Sequence, residues 1–484
     1  MDHRNISRRV FLEHSMLALG ASALPFEVFG QTIIRVRPEW ETFKTTSSYD
    51  SLLRAIRLMK ANTNPKDAKS WTYWTNIHVN NCPHEVPYFL AWHRGYMYYF
   101  ERQLRTISGD SQLVLPYWDY YKNPQLPAEF TNPNGGNPLY VDRVNTNVQQ
   151  ALSMAPFAAD VLNFQRGQDK AFEPTFEDAP HNPVHNLIGN AMADMISPVD
   201  PIFWLHHANV DRLWVAWAGA GGGRKMPAVT NSYWSGRHVY ASNLNLLRSQ
   251  TYSTRTALYY RYQDETMPTA LPVAQASTGV LDAKLFRVQA NKDMLAGATP
   301  SVGSFRLSGP RQTSDTTFAL GGALDVGLSE RSVSVQLPVS AEHSRALVDI
   351  ANGKAAGIAG TPIKFHSAHL ILDGIEMSEL GRKGGYFYKL YLNIPSGKQT
   401  SGVRSMYLGT LGPFEIHAAA HHGGEHGSMR LRYKVKRAFA GATATELGMM
   451  SVSFVRVSGN NNPGGGVIGV GEVRLEAAAE PDGS

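Results

Sequence analysis

The sequence predicts a multidomain α and β protein: a mainly α core built on a four-helix bundle, followed by a β-rich, sandwich-like C-terminal domain. Three observations predict it. A chain of 484 residues is longer than one ordinary hydrophobic core accommodates. Apolar and aromatic residues recur at helical spacing up to Trp217, whereas from about Ser332 they alternate. Between the two patterns, Gly219-Ala-Gly-Gly-Gly223 marks a change of composition.

The elements follow in order. Residues 1–30 read as a targeting segment: Ser7-Arg8-Arg9-Val10-Phe11-Leu12 is a twin-arginine pattern, followed by an apolar run from Met16 to Leu24 with small residues at Ala21 and Ala23. Export by the twin-arginine pathway to the periplasm or the exterior is expected, with cleavage after Ala23 or Gly30. Residues 31–224 form the helical domain. Leu52, Ile56 and Met59 share one helical face, a second helix leads through Trp71 to His78, and a third runs from Tyr88 to Ile107 with Gly109 as its stop. Pro180 and Asn182 flank the start of a helix carrying His181 and His185. Asp200-Pro201 opens another, an N-cap followed by a first-turn proline, that runs to about Trp217. Residues 225–330 read as a connecting region that wraps the core. Residues 331–476 carry short alternating segments, among them Val333 to Leu337, Tyr386 to Ile394, Met429 to Val435 and Ser451 to Val457, as expected of a β-sandwich. Residues 477–484 are a tail.

Composition narrows the function. Hydrophobic residues at 43% and charged residues at 18% are ordinary for a globular protein. The net charge of +6 comes without a basic run or basic stripe, so neither nucleic acid nor a membrane surface is an expected partner. No apolar run reaches eighteen residues, so no transmembrane helix is expected. The one cysteine, Cys82, rules out an intramolecular disulfide.

The chemistry lies in His78-x5-His84-x8-His93, His181-x3-His185 and Asp200-Pro-Ile-Phe-Trp-Leu-His-His-Ala-Asn-Val-Asp211. On a helix, His181 and His185 project from one face. Imidazole suits copper, zinc and iron, and no carboxylate or thiolate set accompanies these histidines. Two adjacent three-histidine sites suggest a metal pair with open positions, a place for dioxygen chemistry. The bland alternatives are core packing or a structural zinc. A second group, His417, His421, His422 and His426, with His366 and His369 upstream, reads as an exposed Gly/Ala-rich loop with incidental histidines; metal binding is the alternative. Cys82 alone reads as a small buried hydrophobe or a reactive thiol.

These motifs resemble the tyrosinase and catechol oxidase family of binuclear (type 3) copper proteins, bacterial in its export signal. Residues 200–211 match the family's Asp-Pro-x-Phe-x-x-x-His-x3-Asp segment in full, and Phe89-Leu-Ala-Trp-His-Arg94 matches its other characteristic segment. The resemblance covers roughly residues 45–220; for the C-terminal domain it is architectural. It implies copper A on His78, His84 and His93, and copper B on His181, His185 and His207, with His206 pointing elsewhere. Only five residues separate His78 from His84, a tighter loop than many relatives have. The resemblance also implies a thioether between Cys82 and His84, and Phe203 packed beneath the site. Arg94 and Asp211 are placed to pair and join two ligand helices. Glu177 and Asn182 would hold a water that removes the proton of a monophenol; read as local structure, they are a first-turn carboxylate and a helix-capping amide. An aromatic residue of the C-terminal domain, one of Tyr386, Phe387 or Phe414, would cover the site.

The expected function is a copper-dependent polyphenol oxidase using O2 to oxidise o-diphenols to o-quinones and to ortho-hydroxylate monophenols. The alternatives are a catechol or o-aminophenol oxidase without the hydroxylating step, and a haemocyanin-like oxygen carrier. The natural phenol and the oligomeric state are not legible.

Overall fold

The computed structural model describes residues 33–273, 306–396, 402–422 and 429–481. The export segment and His426 lie outside these residues. The first half is built from α1 (Ser48–Ala61), α2 (Trp71–Asn81), α3 (Phe89–Ser108), α4 (Asn182–Ile188) and α5 (Ile202–Gly219). Helix α1 buries Leu52, Ala55, Ile56 and Met59, one stripe at 3.6-residue spacing. Helix α3 stops where Gly109 turns left-handed at φ 72°. Helix α5 is buried on every side, so it forms the axis around which the others pack. Its start is pinned by Asp200, whose carboxylate accepts from the Ile202 amide at 2.9 Å and from two Arg143 nitrogens at 2.7 and 2.6 Å. The rings of Phe100 and Trp204 stack between α3 and α5.

Four short strands close this core: β1 (Arg35–Arg37), β2 (Arg237–Ala241), β3 (Leu244–Leu247) and β4 (Tyr260–Tyr262). The β2–β3 hairpin lays Tyr240 on Trp92, and β1 pairs in parallel with β4. That pairing delivers three groups to the carboxylate of Asp211: the hydroxyls of Tyr260 (2.6 Å) and Tyr262 (2.5 Å), and Arg37 at 3.8 Å. Arg94 of α3 donates to the same carboxylate at 2.6 Å, so the expected Arg94–Asp211 pair is present and lies in a larger buried network. Arg37 also donates to Glu101 at 2.7 Å.

The last third holds a second apolar core between two antiparallel sheets. Strands β5 (Arg306–Ser308), β6 (Arg311–Ser314), β7 (Thr317–Leu328), β8 (Val333–Gln336), β9 (Ser367–Met377), β10 (Tyr386–Ser396), β11 (Gly402–Leu411), β12 (Met429–Lys434), β13 (Ser451–Ser458) and β14 (Ile468–Ala478) build it. One sheet has the order β12–β9–β14–β7–β5 with β6 also on β7; the other has the order β11–β10–β13–β8. Leu370 and Leu475 of the first sheet and Leu390 and Val452 of the second meet in this core. The connecting region was expected to reach residue 330, but β5 to β7 already belong to the larger sheet. The mixed pattern there has a physical cause: β5 and β6 are short edge strands with mostly exposed side chains. Helices α6 (Ala341–Ala351) and α7 (Pro413–His422) accompany the sheets. Among the described residues, no helix is long and apolar enough to cross a membrane.

Removing Asp211 would leave Arg37 paired with Glu101 but would strand Arg94 without its anion in a dry core, where an uncompensated charge costs about 3–5 kcal/mol. Asp211→Ala is therefore expected to lose about that much in denaturant unfolding. A loss below 1 kcal/mol, the value of an exposed ion pair, would show the network to be dispensable.

Candidate metal centre

The six histidines singled out in the sequence converge. His78 lies on α2, His84 on the loop after it, His93 on α3, His181 just before α4, His185 on α4 and His207 on α5; all are essentially fully buried. Rings of the first triad stand 5.3 Å (His78–His84), 5.5 Å (His78–His93) and 5.2 Å (His84–His93) apart, a nearly equilateral set. The second triad is spaced 4.6 Å (His181–His185), 5.1 Å (His181–His207) and 5.7 Å (His185–His207). The triads face each other, with His93 stacked on His207 at 4.3 Å and His84 over His181 at 5.8 Å.

Backbone carbonyls fix which nitrogen is available. His78 Nδ1 meets the Met195 carbonyl at 2.7 Å, His93 Nδ1 that of Phe89 at 2.8 Å, and His185 Nδ1 that of Met192 at 2.7 Å. A carbonyl only accepts, so each Nδ1 carries the proton and each Nε2 keeps its lone pair. Those three Nε2 atoms are buried without a hydrogen-bond partner among the described residues. His181 Nδ1 is held by the Asn182 side-chain oxygen at 2.8 Å, and its Nε2 faces His207 Nε2 at 3.4 Å. The Asn182 oxygen only accepts, so His181 Nε2 keeps its lone pair and turns it toward the second triad. Burial holds His78, His181 and His207 well below their ordinary pKa and pushes His93 and His185 down to about 3. Desolvated imidazoles in two facing triads fit two copper ions, and a ring nitrogen of His206 also lies within reach of the second set.

His206 corrects an expectation. Successive helical residues differ by about 100° around the axis, which turns His207 toward His93. The same rotation does not take His206 away from the site. Its ring packs flat over His181 at 5.3 Å and edge-on to His185 at 4.9 Å, so it walls the second triad. Phe203 lies 5.1 Å from His78 and 4.3 Å from His207, at the floor between the triads. Cys82 Sγ stands 3.2 Å from His84 Nδ1, on the side of that ring away from Nε2, and burial pushes its thiol pKa well up.

Glu177 and Asn182 stand on either side of His181 in sequence, but the structure does not join them directly. Glu177 accepts from the Glu85 amide at 2.7 Å and pairs with Arg166; burial raises its pKa. Of the three aromatic residues considered as a cover, Phe414 is the one at the site. Its ring stacks on His185 at 4.1 Å and lies 5.1 Å from His84 and 5.6 Å from His181, with no exposed surface. Tyr386 instead packs within the sheet domain, its hydroxyl donating to the Gly381 carbonyl at 3.1 Å, while Phe387 joins the first core.

The grip on Phe414 was not foreseen in the sequence. Asn186, next to His185, accepts from the Phe414 amide at 2.8 Å and donates to Glu415 at 2.7 Å. Asp178, next to Glu177, accepts from the Thr410 amide (2.9 Å) and the Tyr407 hydroxyl (2.7 Å). Gly412 is required by this approach, since a Cβ there would lie 2.5 Å from the Asn186 side chain. These partners are more than two hundred residues apart, and no local pattern marks them.

A model of the common central domain of tyrosinase matches residues 47–158 and 131–220. A tyrosinase from a Hahella species is 33% identical over 189 residues, covering 31% of this chain and 40% of that protein. A chloroplastic polyphenol oxidase of Vicia faba is 28% identical over 324 residues, covering 54% of this chain and 52% of that one. The chain thus spans about half the length of these curated relatives. The solved structure of latent apple tyrosinase aligns with a TM-score of 0.50 at 19% identity, covering 94% of this chain and all of that one, a likeness of fold.

The depressed imidazoles set a pH dependence for the metal-free protein. Unfolded, they take up protons near pH 6.5; folded, His93 and His185 do so only at about 3. The unfolded state binds more protons across that window, so stability is present above it and lost as pH falls through it, roughly 1.4 kcal/mol per pH unit for each such histidine. Thermal unfolding of metal-free protein should drop from about pH 6.5 downward, and less steeply in His185→Phe. Identical slopes for the two proteins would contradict a buried neutral His185.

Proposed function

We infer, from a chain whose residues 47–220 belong to the tyrosinase family of binuclear copper proteins, that the protein is a polyphenol oxidase kept closed by its own C-terminal domain. The observation that carries the reading is the pair of facing imidazole triads with Nε2 lone pairs turned inward and Phe414 stacked on one of them. When bound, two copper ions supply dioxygen binding and two-electron redox chemistry. The chain's part is to hold six imidazoles, to exclude bulk water and to orient an aromatic substrate. The place where Phe414 stacks on His185 has the shape and surroundings a phenol ring needs, so the side chain stands where substrate would lie.

For substrate to enter, the Phe414 ring has to leave. Extracting a fully buried phenylalanine costs about 1.5–3 kcal/mol, equivalent to roughly ten- to a hundredfold in rate. Phe414→Ala, loaded with copper, is expected to gain that much in kcat/KM for o-diphenol-dependent oxygen uptake. Absence of uptake in both wild type and variant would overturn the oxidase reading and favour a reversible oxygen carrier.

Within this reading we place hydroxylation of monophenols with Glu177, the buried carboxylate beside the second triad, and Asn182, which orients His181. Glu177→Gln should then suppress oxygen uptake with a monophenol while sparing the matching o-diphenol. One observation favours the second reading, an oxidase of o-diphenols alone: both Glu177 oxygens already carry a bond, to the Glu85 amide and to Arg166. Wild type that consumes oxygen only with the diphenol would decide for it.

The 3.2 Å approach of Cys82 Sγ to the His84 ring also supports a thioether between them. Its formation removes one hydrogen from sulfur and one from a ring carbon, with two electrons passing to dioxygen. The intact mass of copper-matured protein should fall two hydrogens below that of the unmodified chain, and Cys82→Ser should abolish the deficit. A full mass in active protein rejects the bond.

A further inference from the structure

We propose that His417 and His421, on the helix that carries Phe414, form a separate mononuclear site for a borderline transition-metal ion, copper above all. In the sequence these residues read as an exposed loop; the structure puts them on α7, four residues apart, so both rings project from one face. Phe414 lies three residues before His417 and shares that face, which is the face turned toward the metal centre.

Spacing of this kind is common on helices, but His417 is prepared in a way that an incidental surface histidine is not. Its Nδ1 lies 3.0 Å from the Ala193 carbonyl and 3.3 Å from a carboxylate oxygen of Asp194. Both partners are acceptors, so Nδ1 carries the proton and Nε2 presents its lone pair. A ring nitrogen donating to a carbonyl or carboxylate while the other faces outward is the arrangement that orients and strengthens metal-ligating histidines. The neighbouring carbonyls of Met192 and Met195 do the same for His185 and His78. One four-residue segment thus orients a histidine of each triad and a third that belongs to neither.

His421 lies one turn further along α7 and is exposed. Two imidazoles at this spacing leave coordination positions for water or an incoming donor, as a labile site requires, and neutral imidazole favours copper and zinc over magnesium or calcium. Its chemistry stands independently of the phenol-oxidising reading.

The test is titration of metal-free, full-length protein with Cu(II), followed by copper analysis after gel filtration and by electron paramagnetic resonance. Wild type should bind one copper per chain beyond the pair and show a mononuclear Cu(II) signal with nitrogen splitting. His417→Gln/His421→Gln should lose that ion and that signal while retaining the pair. The single variant at the exposed position, His421→Gln, should weaken the same signal and guards against a folding defect in the double variant. If the paired-copper reading alone failed, wild type would hold only the mononuclear ion and the double variant none. Unchanged stoichiometry and signal in both variants, or a wild type that binds the pair and nothing more, would overturn the proposal.

Discussion

Buried imidazoles whose lone pairs must converge in a dry interior are the constraint on which the rest of this protein depends. An unpaired polar atom in such a place costs free energy unless something satisfies its other end. Here the other end is met largely by main-chain carbonyls, at Phe89 within α3 and at Met192 and Met195 in the segment between α4 and α5. Those carbonyls are useful only if the segment is held against α2 and α4 with hydrogen-bond accuracy. The all-round burial of α5, the Asp200–Arg143 clamp at its start and the Asp211 network along its length supply that rigidity.

Dryness is supplied from elsewhere in the chain. Phe414 closes the second triad, and the residues that hold it are close sequence neighbours of residues at the centre: Asn186 follows His185, and Asp178 follows Glu177. The cover is fastened to the same short stretch that carries two of the imidazoles. The half-buried Asp178 accepts from Thr410 and Tyr407 of the sheet domain, and the buried Glu415 accepts from Asn186 of the helical domain, so the contact is directional as well as apolar.

Much of this was legible in the sequence because its signals are local. Helical spacing located α1 and α3 to within a residue or two and α2 as far as His78, three residues short of its end; Gly109 marked a stop, and Asp200-Pro201 a start. The six histidines stood out because they recur in two short segments of unusual composition. What could not be read depends on distant partners. Phe414 was one of three equivalent aromatic candidates until Asn186 placed it. Strands β5 to β7 were lost in a mixed pattern because two of them are edges. His207 was read correctly as the ring that faces the first triad, whereas the packing of His206 on His181 and His185 depends on the rotation of α5 against α4, which the sequence does not show.

The segment Met192–Met195 ties these observations into one mechanical unit. Its carbonyls orient His185 and His78, one in each triad, and the carbonyl of Ala193 between them orients His417 on the covering helix. A hydrogen bond holds its geometry only within a few tenths of an ångström, so α7 cannot swing away without releasing a contact on that segment. The covering helix and the two ligand rings are therefore linked through three carbonyls of one four-residue segment. The all-round burial of α5 and the Asp211 network fix the site from behind, and the Phe414 ring covers the second triad from the other domain.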